Sequence, residues 1–220
     1  MFFIIATASI TILFLIMLFL FKEGLPIFKT VSVKDFIFGK YWYPTSDPAD
    51  FGIFPLIVAS LVATGLSGMI AIPLGVMTAI YLSEIASYRV GEIVKPIVEL
   101  LAALPSVVIG FFGMVLVAPF LQKVFDIPTG LNMFNASLML AFMSIPTICS
   151  ISEDAIHSVP DALREASVAL GATQLQTIVR VVVPASLSGI STAVILGLSR
   201  AVGETMVVLM VAGGAAMLPT

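Results

Sequence analysis

Two charged side chains lie inside the last apolar stretch of this sequence. Arg200 and Glu204 are four positions apart. On a helix this spacing places both side chains on one face, where they could form an ion pair. A charge at the centre of a bilayer costs about 3 kcal/mol on insertion scales, so such residues usually face a cavity or a partner. The two residues therefore predict either a mutually neutralising pair between helices or a polar pathway.

The arginine indicates which chemistry a polar pathway could perform. A guanidinium group offers planar, forked donors that suit an oxyanion such as phosphate, and it stays charged in a medium of low dielectric constant. Arg200 is therefore the candidate anion-binding residue. Glu204 would hold the arginine while the pathway is empty and release it as the anion passes.

The longest polar segment of the second half, residues 152–184, predicts a short amphipathic helix. Ser158 could cap its free amides, Pro160 fits its first turn, and Asp161 occupies the position of a capping-box acid. Gly171 follows at the position favoured for a helix stop. These signals bound a helix of about three turns, which by itself could be any surface helix lying on a bilayer.

The faces of that helix differ in polarity. The apolar residues Leu163, Ala166 and Leu170 fall on one face, whereas Arg164 and Glu165 point elsewhere. The helix therefore presents a small apolar surface flanked by charge.

The composition determines the medium in which these residues must be positioned. Of the 220 residues, 60% are hydrophobic and 10% are charged, and the mean hydropathy is +1.16. A soluble domain needs far more polar surface, so the chain is an integral membrane protein. The net charge of -3 argues against a nucleic-acid partner. The single cysteine, Cys149, excludes a disulfide framework, and no Cys/His cluster has metal-ligand spacing.

Five apolar stretches have the length of a membrane span, for which about 20 residues are needed. They cover residues 2–21, 54–82, 96–121, 136–151 and 184–214. The second and fifth are too long for one straight span, and the fourth is short. The glycine pairs Gly65/Gly68 and Gly110/Gly113 predict close helix packing. The fold class is therefore all-α, a polytopic membrane helix bundle.

The amino-terminal stretch has the length of a retained span, because a signal-peptide core runs only about 7–15 residues. The loop that follows, residues 22–52, carries the triplet Tyr41–Trp42–Tyr43, which predicts an anchor at headgroup level. Contact of this triplet with a partner protein is the alternative. Lysine and arginine are distributed too evenly to fix the orientation.

The polar segment also resembles a known motif. Glu165-Ala166-Ser167, then Gly171, then residues 181–184 ending in Pro184 resemble the EAA loop of ABC importer permeases. That pattern reads Glu-Ala-Ala, three residues, Gly, nine residues, Ile-x-Leu-Pro. Every spacing matches, and the departures at Ser167, Val181 and Val183 are small changes in volume.

The resemblance implies roles for these residues. In this family the loop forms a coupling helix that docks into a cleft of a cytoplasmic ATPase. Glu165 would form a salt bridge or a cap, and Gly171 would form the turn. The apolar docking surface would consist of Leu163, Ala166 and Leu170.

Three further segments resemble the phosphate permeases of the PstC type, with the PstA type as the closest alternative. They are Arg200-Ala-Val-Gly-Glu204-Thr-Met, Leu104-Pro-Ser-Val-Val-x-Gly110-x-x-Gly113 and Ile80-Tyr-Leu-Ser-Glu84. The resemblance implies the core of a type I importer permease (MetI-like) over residues 53–220, with an additional helix and an extracytoplasmic loop in residues 1–52. Permeases of this type carry a further, sixth helix, which we expect beyond the apolar stretch that ends at residue 214.

The resemblance also implies partners. A second permease of the PstA type would complete the pore in the cell inner membrane, and a soluble phosphate-binding protein would deliver the anion. A cytoplasmic ATPase dimer would bind ATP and Mg²⁺. The chain itself has no Walker A pattern, needs no cofactor and is not expected to be an enzyme.

Two other classes of protein remain as alternatives. A secondary transporter or channel would need no coupling helix and would normally show more spans or an internal repeat. An intramembrane enzyme would need a catalytic constellation, and His157, the one histidine, has no metal-ligand companion at the following helical turn. Within the importer family, phosphonate, molybdate and sulfate remain alternative substrates.

Overall fold

The computed structural model describes residues 2–213, which are mostly helical. The chain forms two compact units, one over residues 2–58 and one over residues 59–213. Its helices are α1 Phe2–Gly24, α2 Val33–Phe38, α3 Phe54–Glu84, α4 Tyr88–Ala102, α5 Ser106–Phe112, α6 Ala118–Phe125, α7 Met133–His157, α8 Asp161–Ala169, α9 Gln174–Thr177, α10 Val183–Ala185, α11 Leu187–Val202 and α12 Met206–Val211. The residues after 213 include the end of the last predicted stretch and lie outside the described part.

In the first unit, the segment that was predicted as a loop, residues 22–52, contains regular structure. Helix α1 runs on through Gly24, and a 3₁₀ turn, Leu25–Lys29, and α2 follow it. Two short antiparallel strands, β1 Trp42–Tyr43 and β2 Asp50–Phe51, then pair with Trp42 opposite Phe51. Their rings meet edge to face with centroids 6.3 Å apart. The aromatic triplet thus contributes to a small hairpin of its own unit.

Within residues 2–213, four helical segments are long and apolar enough to cross a membrane, and one bent pair could form a fifth span. The four are Ile5–Lys29, Phe54–Glu84, Ser106–Phe125 and Met133–His157, and the bent pair is Gln174–Ala185 with Leu187–Val202. The polytopic helix bundle is therefore confirmed. The fourth span is longer than predicted, because α7 continues through the polar residues 152–157.

Two predicted spans have wrong boundaries. The stretch 96–121 is not continuous, since α4 ends at Ala102 and a new helix begins after Pro105. Proline disfavours helical geometry in the residue before it, which here is Leu104. The stretch 184–214 is also interrupted, by a bend of 67° before Leu187 and by the end of α11 at Val202.

Helix α7 forms the centre of the second unit. Of the 18 most apolar consecutive residues of α7, 61% are buried, whereas the corresponding share in α3 is 28%. The fully buried Ile148 of α7 packs between Gly75 of α3 and Gly197 of α11. A Cβ atom on Gly75 would lie 2.8 Å from Ile148 Cγ2, and one on Gly197 would overlap the same side chain. Glycine therefore permits both neighbouring helices to approach α7, as small residues do in membrane bundles.

Three of the four glycines that were predicted to allow close helix packing do so. A Cβ atom on Gly68, Gly110 or Gly113 would meet a side chain of another helix at 2.9 Å or less, which confirms close packing there. At Gly65 the same atom would meet nothing within 4 Å. That glycine faces open space.

Each π-helical turn of the second unit precedes a proline. The turn Gly113–Val117 is followed by Pro119, and the turn Ile178–Val182 by Pro184. A proline ring clashes with the carbonyl four residues earlier, and a widened turn relieves that clash. In the first turn the Gly113 carbonyl also accepts a hydrogen bond from the buried Asn135 Nδ2 at 3.0 Å.

Replacing Gly197 with alanine should lower the stability of the protein, because the added Cβ atom would overlap Ile148. Overpacking of this kind costs about 1–3 kcal/mol. Thermal unfolding of the purified complex in detergent measures the effect. Gly65→Ala is the matched control and should leave the melting temperature unchanged or slightly raised. An equal loss of stability in both variants would contradict the packing role of Gly197.

Candidate coupling segment and polar pathway

The EAA segment, defined here as residues 158–184, begins differently from the sequence prediction. Pro160 is the N-cap residue of α8, and Asp161 is the first helical residue. Ser158 does not cap α8, since its Oγ donates to the Ala155 carbonyl at 2.7 Å and so belongs to the end of α7. Asp161 still lies where a carboxylate is favourable, at the positive end of the helix dipole.

The end of α8 follows the prediction. Gly171 has φ +84°, the left-handed conformation that glycine adopts without strain. Its N–H donates to the Val168 carbonyl at 2.9 Å, and the N–H of Ala172 donates to the Ser167 carbonyl at 3.2 Å. These two bonds form a Schellman motif, which satisfies carbonyls that the helix leaves free. Gly171 therefore terminates α8 and turns the chain toward α9.

The predicted docking residues lie together on the surface. Leu163 is 44% exposed and Leu170 is 90% exposed, and Ala166 between them is exposed as well. Glu165 is exposed, and it forms neither a side-chain hydrogen bond nor an ion pair with another described residue. Sequence reasoning missed Leu175 of α9, which is 67% exposed. The signal for it was a leucine directly before Gln176, the second residue of the capping box that Thr173 begins.

Arg164 holds α8 against two other helices. Its Nη2 lies 2.8 Å from Glu84 Oε1, at the last residue of α3. The same atom donates to the Ile156 carbonyl at 3.0 Å, and Nη1 donates to the Val159 carbonyl. The hydrogen bond to Glu84 raises the pKa of the Arg164 guanidinium above its ordinary value. No motif in the sequence predicts a role for Arg164, although Glu84 belongs to the segment Ile80–Glu84 that resembles the phosphate permeases.

Further hydrogen bonds hold the rest of the segment. Gln174 Nε2 donates to the Glu84 carbonyl at 3.1 Å, and the hydroxyls of Ser167 and Thr177 lie 2.9 Å apart. Pro184 is exposed in α10, next to the bend that leads into α11. The segment is thus a folded unit of three short helices and a π turn rather than a loop.

Arg200 lies in the last turn of α11 with its side chain partly buried. Its Nη2 donates to the Ala102 carbonyl at 3.2 Å, and Nη1 lies 3.4 Å from the Thr147 hydroxyl. Ala102 ends α4, where helix carbonyls lack partners. The guanidinium therefore links α11 to α4 and α7, and its partners in the described part of the chain are neutral oxygens.

The pair expected between Arg200 and Glu204 is not formed. Helix α11 ends at Val202, so the two residues do not share a helical face. Glu204 Oε1 instead accepts hydrogen bonds from the backbone N–H of Met206 at 3.1 Å and of Val207 at 3.3 Å. A carboxylate in this position caps the free amides at the start of α12.

A cavity of about 710 Å³ opens where α3 and α7 end and α4 begins. Lys95 of α4 lines it and forms an ion pair with Glu153 of α7 at 2.8 Å. This hydrogen bond raises the pKa of Lys95. His157 is exposed and also lines the cavity. Arg200 and Glu204 do not line it, so the cavity is separate from the candidate pathway.

Comparison with known proteins places these features in a family. The family described as binding-protein-dependent transport system inner membrane component matches residues 71–220. The chain is 42% identical over 206 residues to the probable ABC transporter permease protein YqgH of Bacillus subtilis, covering 93% of this chain and 67% of that one. It is 31% identical over 236 residues to the phosphate transport system permease protein PstC of Haemophilus influenzae, covering 97% and 74%.

A solved structure agrees with the sequence relatives. A chain of the MetNI methionine ABC transporter in an inward-facing conformation superposes with a TM-score of 0.54 at 26% identity. The match covers 69% of this chain and 68% of that chain. The predicted MetI-like permease fold is therefore confirmed.

The family match also fixes the general role of the subunit. Members are inner membrane components, so the chain is the transmembrane, non-catalytic part of its transporter and carries no cofactor itself. Dependence on a binding protein and on an ATPase follows from the description of the family. The chain belongs to the binding-protein-dependent transport system inner membrane components and is the permease subunit of an ABC importer.

Proposed function

We propose that this permease subunit carries inorganic phosphate and that Arg200 binds the anion on its way through the membrane. The observation that supports this proposal is the environment of the guanidinium. Arg200 is partly buried in a helix of a membrane protein, and its hydrogen-bond partners among the described residues are the neutral oxygens of Ala102 and Thr147. Among residues 2–213, the positive charge is therefore left without an anionic partner.

The chemistry of exchange favours an oxyanion. Charge-assisted, bidentate bonds from arginine to phosphate are about twice as strong as bonds between neutral groups. An arriving phosphate would therefore compete well with one carbonyl and one hydroxyl, at distances of 3.2 and 3.4 Å. When the anion leaves, the same oxygens would accept the guanidinium again, so the charge is never without partners.

The named relatives support the same substrate. Several are phosphate transport system permease proteins of the PstC type, including those of Mesorhizobium japonicum at 32% identity and Mycobacterium tuberculosis at 36%. A PstA protein of Mycobacterium tuberculosis is 35% identical over 162 residues. These relatives favour the PstC type because the PstC matches extend to 97% of this chain.

The remaining parts of the transporter follow from this proposal. A second permease of the PstA type would complete the pore, and a phosphate-binding protein would deliver the anion. A cytoplasmic ATPase dimer, with its own ATP and Mg²⁺, would dock on the exposed surface formed by Leu163, Ala166 and Leu170. Residues 1–52 would form the additional helix and extracytoplasmic region, and residues 53–220 the permease core.

Replacing Arg200 with alanine should abolish most phosphate uptake, because the anion would lose its charged donors. A hydrogen bond to a charged group contributes about 1.5–3 kcal/mol, which corresponds to a loss of roughly 10- to 100-fold. Uptake of radiolabelled phosphate into proteoliposomes that contain the whole transporter measures the effect. Sulfate, molybdate and phosphonate serve as competing anions.

Two controls make this experiment decisive. Arg200→Lys keeps the charge but loses the planar fork, so it should recover only part of the uptake. Arg180→Ala removes an exposed arginine from the EAA segment and should leave phosphate affinity unchanged. Normal uptake by Arg200→Ala in an assembled transporter would refute the role of Arg200, and inhibition by sulfate or molybdate stronger than by unlabelled phosphate would refute the substrate.

The capping geometry of Glu204 leads to a separate prediction. Glu204→Gln should transport phosphate at nearly the normal rate, because an amide oxygen can still accept from the two N–H groups of α12. Glu204→Leu should lose about 0.5–2 kcal/mol of stability, as expected for a lost cap. Uptake and thermal unfolding of both variants are the measurements. A large loss of uptake in Glu204→Gln with normal stability would mean instead that the carboxylate charge acts on the pathway.

The docking role of α8 is testable through Leu170, which is 90% exposed and so contributes little to the fold. Leu170→Asp should reduce the amount of ATPase that co-purifies with the permease, because a charge would enter an apolar contact. Ala162→Asp is the matched control, since it adds the same charge to an exposed position in the first turn of α8. Equal recovery of ATPase in the two variants would contradict docking through Leu170.

A further inference from the structure

Arg164 connects α8 with the ends of two membrane-spanning helices. Its guanidinium reaches the Glu84 carboxylate at the end of α3 at 2.8 Å. It also donates to the carbonyls of Ile156 and Val159, which belong to the last turn of α7 and the residues just beyond it. One side chain therefore satisfies an acid and two backbone acceptors on separate elements.

Burial distinguishes this contact from an ordinary surface ion pair. The side chains of Arg164 and Glu84 are 21% and 11% exposed. The second acid near the same guanidinium, Asp161, lies at 3.2 Å but is 88% exposed. Exposed ion pairs contribute little, whereas a partly buried pair that also satisfies backbone groups is costly to break. Glu84 is therefore the important partner.

A second contact restrains the same helix end. Gln174 of α9 donates to the Glu84 backbone carbonyl at 3.1 Å. Two helices of the EAA segment thus hold the last residue of α3: α8 through the Glu84 side chain and α9 through the Glu84 backbone. The end of α7 is held by Arg164 in the same way.

We infer that Arg164 is a positioning residue of the transport cycle: it fixes α8 to α3 and α7, so that a displacement of α8 by the ATPase moves these helices with it. Arginine is required because a lysine ammonium cannot reach a carboxylate and two carbonyls with a planar fork. The contacts continue toward the candidate pathway, since α7 also carries Thr147 beside Arg200. Helix α7 thus runs as one element from the Arg164 contact to the candidate pathway, and rigid elements of this kind can carry coupling between sites. The inference concerns motion and is independent of the identity of the transported anion.

The test measures the distance between α8 and α3 during ATP turnover. In the assembled transporter, spin labels are placed through Ala162→Cys and Met77→Cys, both exposed positions, in a Cys149→Ala background. Pulsed electron paramagnetic resonance gives the distance distribution without nucleotide and after trapping with Mg-ATP and vanadate. The fixed connection predicts the same narrow distribution in both states.

The variants decide between a connection and a passive contact. Arg164→Met and Glu84→Gln should still bind the ATPase. Their distance distribution should broaden or shift after trapping with Mg-ATP and vanadate, even if it is normal without nucleotide. The double variant should behave like either single variant, because both remove the same contact. Asp161→Asn is the matched control and should match the unsubstituted transporter. Arg164→Lys keeps the charge, serves if Arg164→Met does not assemble, and should broaden as well.

Three outcomes would overturn the inference. They are an unchanged distribution in both Arg164 variants, a change in Asp161→Asn as large as that in Glu84→Gln, and a distribution that already differs between the two states of the unsubstituted protein. Because the measurement needs no transported substrate, its failure leaves the phosphate proposal untouched. Failure of phosphate uptake would likewise leave the connection untouched.

Discussion

Helix ends inside a membrane protein leave backbone groups without partners, and lipid cannot supply them. In this chain, side chains from other parts of the fold satisfy several of these groups. Arg200 satisfies the end of α4, Arg164 the end of α7 and Glu204 the start of α12. The carbonyl of Gly113, within a π turn, is satisfied by Asn135. Several polar side chains of this apolar chain thus satisfy backbone groups where helices begin or stop.

This constraint explains why the structural and the functional residues coincide. A guanidinium that satisfies a helix end through neutral oxygens keeps its net charge, so the oxygens can be exchanged for an anion. A guanidinium that is paired with a buried carboxylate, like Arg164 with Glu84, has no such freedom and acts as a fixed connection. The two arginines therefore differ in function because they differ in their partners, although each ends up beside helix carbonyls.

Helix α7 joins the two sites. Its end is held by Arg164, its middle packs between Gly75 and Gly197 through Ile148, and Thr147 beside that isoleucine contacts Arg200. A side chain enclosed on both sides by glycine leaves little space for α7 to move independently, because packed interiors resist deformation. The chain belongs to a family of transport permeases. A permease that alternates between two states would be expected to move such helices together.

The sequence by itself determined the membrane location, the helical class and the EAA spacing from Glu165 to Pro184, because composition, span length and local turn chemistry are properties of neighbouring residues. Even the end of α8 at Gly171 was predictable, since left-handed geometry favours glycine. The partners of Arg164, Arg200 and Glu204 were not predictable. The spacing of Arg200 and Glu204 suggested an ion pair, yet α11 ends between them. Arg164 meets Glu84, which is 80 positions away. Only the tertiary structure brings distant helix ends together, and these ends decide which charges are paired and which remain available for an anion.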